Sequence, residues 1–437
     1  VNFSGAGLVL GVWAKDERYR AERQNTIIFF IFGVNFKCCN DNKNFILPAG
    51  IIFMKTLIKN IKSLVQADNG TRMKVSGADM KNLPCMENAW LAIEEDKIVD
   101  FGEMKDFPGV IDWRNLKVID AADKLVFPSW CDSHTHIVYA GSRESEFVDR
   151  INGLTYEEIA KRGGGILNSA KKLADASEDE LFDSAMKRIH QVILQGTGAI
   201  EIKSGYGLSL ETELKMLRVI KRIKEKTSIP VKATFLGAHA VPKVIQNLTG
   251  FENLSGLMQK QKYIELILNE MLPQIAKENL ADYCDVFCEQ NYFTKEETKK
   301  ILSAAAKLGM QGKVHAEQLS HSGGVEAAIE CNAISADHLE FVNDNDIQLL
   351  RKSDVMPVIL PGAQYFLCLQ YPPARKMIDA GLPLAISSDY NPGSSPSGNM
   401  NFMVSHACVH YKLTPEEAIN AATINSCLLY TSDAADE

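Results

Sequence analysis

Two histidines one residue apart, His134 and His136, close the stretch Phe127-Pro128-Ser129-Trp130-Cys131-Asp132-Ser133-His134-Thr135-His136. In an extended strand, residues i and i+2 point to one face, so both imidazoles can converge on one point. Imidazole is the commonest protein ligand for borderline metals such as zinc and iron. Taken alone, the pair is better explained by a polar loop or a solvated strand face, and a metal site needs further ligands. The chain has nine histidines. Five of them, His134, His136, His239, His315 and His338, fall at or just after the ends of strand-like apolar segments, whereas His190, His406 and His410 do not. The last such segment runs into Ser387-Ser388-Asp389-Tyr390-Asn391-Pro392-Gly393-Ser394, which places Asp389 at an equivalent end. His134, His136, His315 and Asp389 would make a three-nitrogen, one-oxygen site with room for a water.

The elements that must position these residues alternate. Ser177-Glu178-Asp179-Glu180 is a capping box opening a helix with Leu181, Ala185, Ile189 and Val192 near one face, stopped by Gly196. Thr294-Lys295-Glu296-Glu297 opens a second, ending near Gly309, and Thr414-Pro415-Glu416-Glu417 a third, with Pro at the first helical position. Between such helices lie short apolar runs at Ala199 to Ile202, Val231 to Leu236, Tyr283 to Phe287, Lys313 to His315, Ala333 to Ala336, Val355 to Leu360 and Leu384 to Ile386. With the strand before His134 these are eight, the pattern of an α/β (β/α)8 barrel. In a barrel the chemistry sits at the C-terminal ends of the strands, where the five histidines and Asp389 fall. A doubly wound open sheet is the rival. No Gly-x-Gly-x-x-Gly follows a strand, and Gly163-Gly164-Gly165 lacks the context of a phosphate cradle.

The chain has 437 residues, enough for one large barrel and a smaller domain. A net charge of -8 without a basic patch argues against a nucleic-acid partner. The ten cysteines are scattered, and Cys284 and Cys288 have no zinc-finger partner pair, so they read as reduced thiols of a cytoplasmic protein. The longest apolar run, Ile27 to Val34, is far short of a membrane span. Residues 1–53 show no sustained period and precede the first methionine, Met54; they read as a non-native or disordered extension. Residues 54–122, with short apolar runs between Asp, Asn, Gly and Pro clusters, read as a small β domain, and 123–426 as the barrel.

Taken together the motifs resemble the amidohydrolase superfamily and, within it, the imidazolonepropionase family. The residues are Asp132-Ser133-His134-Thr135-His136 with Arg143, Glu201-Ile202-Lys203-Ser204-Gly205-Tyr206-Gly207, Phe235-Leu236-Gly237-Ala238-His239, Val314-His315-Ala316-Glu317-Gln318-Leu319, Ser335-Ala336-Asp337-His338-Leu339-Glu340 and Asp389-Tyr390-Asn391-Pro392-Gly393-Ser394. The match runs from about Met54 to about Ser426. The resemblance implies a metal-dependent hydrolase that opens 4-imidazolone-5-propanoate with water to give N-formimidoyl-L-glutamate. It implies one zinc or iron ion on His134, His136, His315 and Asp389, with His338 or Asp389 as general base. Gln318 stands where some relatives carry Glu; an amide cannot act as a base, so it would hydrogen-bond the ring, with neighbouring Glu317 left as an open alternative. Arg143 would clamp the propionate, and Tyr206 would reach the ligand. His239 would donate to the carbonyl oxygen, and Asn391, Gly393 and Ser394 would line the product. Glu289 reads as a polar wall residue, and His321 as a helix-start residue.

At the C-terminus the pattern departs from the family. Residues 427–437 look foreign to it, so the small domain, β-sandwich-like in the family, is expected to lack returning strands. Two other readings stand beside the first: a different amidohydrolase acting on a cyclic amide or heterocycle, and a non-catalytic truncated homologue. Arg143 and Tyr206 discriminate, since only a carboxylate-bearing substrate needs the clamp. The sequence leaves the choice of zinc or iron and the oligomeric state open, a homodimer included.

Overall fold

A computed structural model describes residues 8–9, 55–68, 72–154, 158–159, 162, 164–242 and 256–431. The expectations for residues 1–53, apart from 8–9, and for 432–437 fall outside them. The chain divides into two compact units: residues 1–71, 83–130 and 194–198 in the first, and 72–82, 131–193 and 199–437 in the second.

The first unit holds a six-stranded mixed sheet: β1 (Leu8–Val9), β2 (Lys55–Val65), β3 (Cys85–Glu94), β4 (Lys97–Glu103), β5 (Leu116–Asp120) and β6 (Leu125–Phe127). β2 is long enough to pair with β5 along its first half and with β6 near its end, while β3 runs antiparallel along its other side. Its register with β3 shifts between Ile58 and Ile61, where Asn60 takes φ +57°. That bulge re-aims the chain so that Ile58 and Ile61 are both fully buried, in one cluster with Leu64, Leu91 and Val126. Among the described residues, the strands of this unit form one mixed sheet.

The second unit is built on an eight-stranded sheet in chain order: β7 (Trp130–Asp132), β8 (Thr197–Lys203), β9 (Val231–Ala238), β10 (Tyr283–Cys288), β11 (Gln311–Ala316), β12 (Ser335–His338), β13 (Met356–Ile359) and β14 (Ala385–Ile386). The observed pairings from β8 to β14 are parallel. The two ends of the sheet meet beyond β7 and β14. Thr135 bridges to Tyr390, His136 N–H donates to Tyr390 O at 2.9 Å, and Asp389 N–H donates to His134 O at 3.0 Å. That closure sets His134 and His136 directly against Asp389.

The helices between strands start where their caps require. Thr294 and Thr414 each form a complete capping box with Glu297 and Glu417. Ser177 and Glu180 exchange the same pair of bonds at the head of helix Glu178–Leu194, which buries Leu181, Ala185, Ile189 and Val192. The helix Ile424–Thr431 runs on past residue 426. Its Leu429 packs with Met356, Val358 and Ala385, and its carbonyl accepts from Tyr283 Oη at 2.9 Å. No described helix is long and apolar enough to cross a membrane.

Candidate active site

The eight strands deliver their functional residues at or just past their C-terminal ends, as a barrel dictates. Buried Asp132, the last residue of β7, fixes the first to the last of them. It accepts from Ser388 N–H at 2.9 Å and from Ser388 Oγ at 2.5 Å, and Ser133 Oγ lies 2.7 Å from Ser387 Oγ. Burial pushes the Asp132 carboxyl up to about 7, against the pull of those donors.

His134, His136 and His315 each offer one ligand atom within 4.8 Å of the others, and all three are buried. Asp389 Oδ1 stands 3.7 Å from His134 Nε2 and 3.5 Å from His136 Nε2. Two carboxylates brace the cage from behind: Asp337 Oδ2 at 2.6 Å from His134 Nδ1, and Asp285 Oδ2 at 2.9 Å from His315 Nδ1. A carboxylate on Nδ1 fixes the ring and leaves Nε2 to face inward, the arrangement of metal-ligating histidines.

The electrostatics suit a cation. Burial, reinforced by neighbouring positive groups, holds His134 and His136 well below the ordinary histidine range, and burial takes His315 down to about 3 against the pull of Asp285. Neutral imidazole is the ligating form. Among the described residues, His134 Nε2, the nitrogen facing Asp389, is buried without a hydrogen-bond partner. An unsatisfied buried polar atom costs about 1–3 kcal/mol. An orphaned inward nitrogen in a set of three imidazoles and a carboxylate therefore fits a bound divalent ion.

Backbone strain gathers at the same rim. Glu317, His338, Leu339 and Asp389 take positive φ angles of +51°, +87°, +70° and +54°. Each such non-glycine residue costs on the order of 1–3 kcal/mol, and such strain concentrates at functional sites.

A cavity of about 570 Å³ opens on the cage, lined by His136, His315 and Asp389 and also by Arg143, Tyr206, His239, Gln318, His338, Asn391, Gly393 and Ser394. Of the residues the sequence offered as ligands, acid–base groups or substrate contacts, all but Glu317 line this cavity or, for His134, stand in the cage beside it. Their settings differ from one another. Arg143 Nη2 donates to Glu146 Oε2 at 2.5 Å, and a Cβ on Gly393 would meet Arg143 Nη1 at 2.1 Å, so a larger residue there would push the guanidinium aside. Asn391 folds its own turn: its Oδ1 accepts from the N–H groups of Gly393 and Ser394, both at 2.8 Å, and its Nδ2 donates to Asp389 O at 2.6 Å. Ser394 Oγ donates to Asp389 Oδ2 at 3.2 Å.

His239 is set by two neighbours. Its ring stacks on His136 with centroids 5.3 Å apart, and its Nδ1 lies 3.1 Å from Gly205 O. A carbonyl only accepts, so Nδ1 carries the proton. Burial takes this ring down to about 4, so the neutral form presents an unprotonated Nε2.

Glu317 turns away from the cavity. Its carboxylate accepts from Ser322 N–H at 2.5 Å and Val325 N–H at 3.1 Å, which leaves Gln318 on the cavity wall. Glu289 braces the loop after β11 by accepting from Leu319 N–H at 2.7 Å and Ser320 N–H at 3.2 Å. His321 lies 3.0 Å from Asp346 Oδ2, at a helix start.

Sequence reasoning missed Arg150, Phe287, Tyr292 and Phe366, which also line the cavity. Arg150 had a signal. It sits two helical turns past Arg143 on the helix Glu144–Ile151, hence on the same face, and its Nη1 donates to Gly393 O at 3.3 Å. The aromatic residues had none, since their spacing matches that of ordinary core residues.

The amidohydrolase family signature matches residues 125–433. Among curated proteins, the imidazolonepropionases of Christiangramia forsetii and Flavobacterium johnsoniae are each 55% identical over 372 residues, 85% of this chain and 87% of theirs. That of Alkaliphilus oremlandii is 40% identical over 370 residues, covering 84% of this chain and 85% of its own. Among solved structures, a triazine hydrolase variant aligns with a TM-score of 0.61 at 13% identity over 86% of this chain and 83% of its own. The guanine deaminase of C. acetobutylicum aligns at 0.57 and 14% over 86% of each. The solved structures share the barrel fold, and the curated relatives share far more of the sequence. By fold, metal cage and sequence identity, the chain belongs to the amidohydrolase family and, within it, to the imidazolonepropionases.

Proposed function

We propose that the chain opens the ring of 4-imidazolone-5-propanoate with water, giving N-formimidoyl-L-glutamate. The observation that carries this reading is one cavity lined by His136, His315 and Asp389 of the cage together with the guanidiniums of Arg143 and Arg150. A flat polar ring bearing a carboxylate needs both parts. His134, His136, His315 and Asp389 would hold one divalent ion, and three imidazoles with a carboxylate suit zinc and iron alike. When bound, that ion supplies the Lewis acidity that makes water a nucleophile near neutral pH.

The chain's own residues do the rest. Asp389, its Oδ1 toward the cage and its Oδ2 accepting from Ser394 Oγ, is placed to accept the proton of the attacking water. Burial lowers His338, but Glu340, Asp389 and Asp337 outweigh it and raise the ring above the ordinary range, which suits a donor to the leaving ring nitrogen. Arg143, its fork held by Glu146, pairs with the propionate. His239 accepts from a ring N–H, Gln318 bonds a polar edge of the ring, and Tyr206, 5.9 Å from His136 and 5.7 Å from His239 between ring centroids, flanks it. Asn391, Gly393 and Ser394 shape the turn against which the opened product rests.

Arg143→Ala tests the carboxylate clamp. Loss of a charge-assisted bond worth about 1.5–3 kcal/mol raises KM roughly 10- to 100-fold, with kcat little changed. Steady-state kinetics on imidazolone propionate, and on an imidazolone lacking the carboxylate, measure it. An unchanged KM would count against this substrate and favour another cyclic amide or heterocycle.

A further inference from the structure

Glu340 is buried two residues after His338 and does not line the cavity. Its Oε1 lies 3.5 Å from His338 Nδ1 and also accepts from Gln364 Nε2. Gln364 Oε1 in turn accepts from Tyr411 Oη at 2.6 Å. The side chain of Gln370 pins the Glu340 carbonyl at 2.5 Å. Gln364 and Tyr411 are buried as well. The chain therefore has a fixed direction. The phenol donates to the amide oxygen, which forces the amide nitrogen toward Glu340, and the carboxylate is the final acceptor. Among the described residues, Glu340 Oε2 and His338 Nδ1 are both buried without a hydrogen-bond partner. A buried carboxylate is costly unless a charged or strongly donating group meets it, and the imidazole N–H is the group at hand.

We infer that Glu340 is a positioning residue for His338, and that Gln364 and Tyr411 hold Glu340 in place. Glu340 accepts a hydrogen bond from His338 Nδ1–H and so fixes the tautomer and the ring plane. Nε2 is then the nitrogen left for the cavity, which His338 lines. The backbone explains why such a brace is needed. His338 and Leu339 hold φ angles of +87° and +70°, while Leu339 N–H and Phe341 N–H are tied to Ala316 O and Glu317 O at 3.0 and 2.8 Å. The main chain sets where the ring hangs, and the side-chain relay sets how it is turned. The inference rests on His338 as a proton carrier in the proposed reaction.

Glu340→Gln keeps the shape and the bond to Gln364 but removes the charged acceptor. It is expected to lower kcat about 10- to 100-fold, the usual range for a group that orients another, with KM and bound metal unchanged. Glu340→Asp, which keeps the charge, recovers part of that loss. Tyr411→Phe removes one hydrogen bond at the far end and lowers kcat roughly 3- to 10-fold. In the Glu340→Gln background it adds nothing, because it acts through the same carboxylate. Parental kcat in Glu340→Gln, multiplying losses in the double variant, or metal lost along with kcat would each overturn the inference. If Glu340→Gln does not fold, an unchanged kcat in Tyr411→Phe does so alone. His338→Asn run in parallel separates the two levels. Full kcat in His338→Asn removes the proton-carrier reading itself, whereas a collapse there beside a normal Glu340→Gln removes only the positioning role.

Discussion

Two sets of equally buried ionisable groups lie side by side inside the barrel, and burial acts on them with opposite outcomes. One is the cage of His134, His136 and His315. The other is an ion network in which Lys203 Nζ meets Glu201 Oε1 at 2.6 Å and Asp285 Oδ2 at 2.8 Å, while Lys313 pairs with Glu201 and donates to Ser133 O at 2.8 Å. The histidines are held neutral. The lysine is held charged: burial alone would lower it, but Asp285, Glu201 and Asp337 raise it above the ordinary range. The difference follows from reference values and partners. An imidazole sheds its proton near pH 6.5 at little cost, so desolvation decides its state. An ammonium must be brought down several units before it neutralises, and three carboxylates prevent that. The two sets meet at Asp337 and Asp285, each of which touches one histidine on one side and Lys203 on the other. One set is therefore built to bind, and the other holds the binder's supports in place.

The largest effects separate these tasks. His134→Ala or His136→Ala should remove metal and activity together, by well beyond the roughly 100-fold typical of supporting groups, while unfolding by urea changes little. Metal analysis and turnover on one preparation check this, and a variant with full activity would end the metal-cage reading. Lys203→Met should do the reverse in kind. It leaves Asp285 without its lysine and Glu201 with Lys313 alone, and should cost about 3–5 kcal/mol of stability. A denaturation midpoint equal to the parent's would mean that the network carries no such load.

The same contrast explains what the sequence could reveal. The run Val231 to Leu236 anticipated β9 at Val231–Ala238, and Tyr283 to Phe287 anticipated β10, because parallel strands buried on both faces read as unbroken apolar runs. Thr294 and Thr414 announced their helices because a capping box is local, three residues from end to end. The cage was legible because histidine at a strand end is rare and chemically pointed. The ion network was not. Lys313 in a strand looks like a solvent-facing charge, and its partner Glu201 lies 112 residues away. The role of His239 was likewise hidden, since the proton on its Nδ1 is decided by the Gly205 carbonyl 34 residues earlier. The same holds for Glu340, Gln364 and Tyr411, which the fold gathers from three separate segments.

Asp337 lies on the border of the two sets, and its substitution gives the finest test of their division. Asp337→Asn keeps volume and one oxygen but removes the charge facing His134 Nδ1 at 2.6 Å. Two consequences oppose each other. The amide can still accept one bond, from His134 or from a lysine, so the fold should lose less than it does with Lys203→Met. The imidazole, deprived of a carboxylate partner, becomes a poorer donor to a cation and can rotate, which lowers metal affinity about 10- to 100-fold. Chelator competition on the purified variant measures that loss directly. If Asp337 serves the cage, activity should return when metal is supplied in excess, with kcat near the parent's. If it serves mainly the lysines, the midpoint of unfolding falls while metal affinity stays. That outcome would move the border, leaving His134 braced by packing and assigning the carboxylate wholly to the ion network.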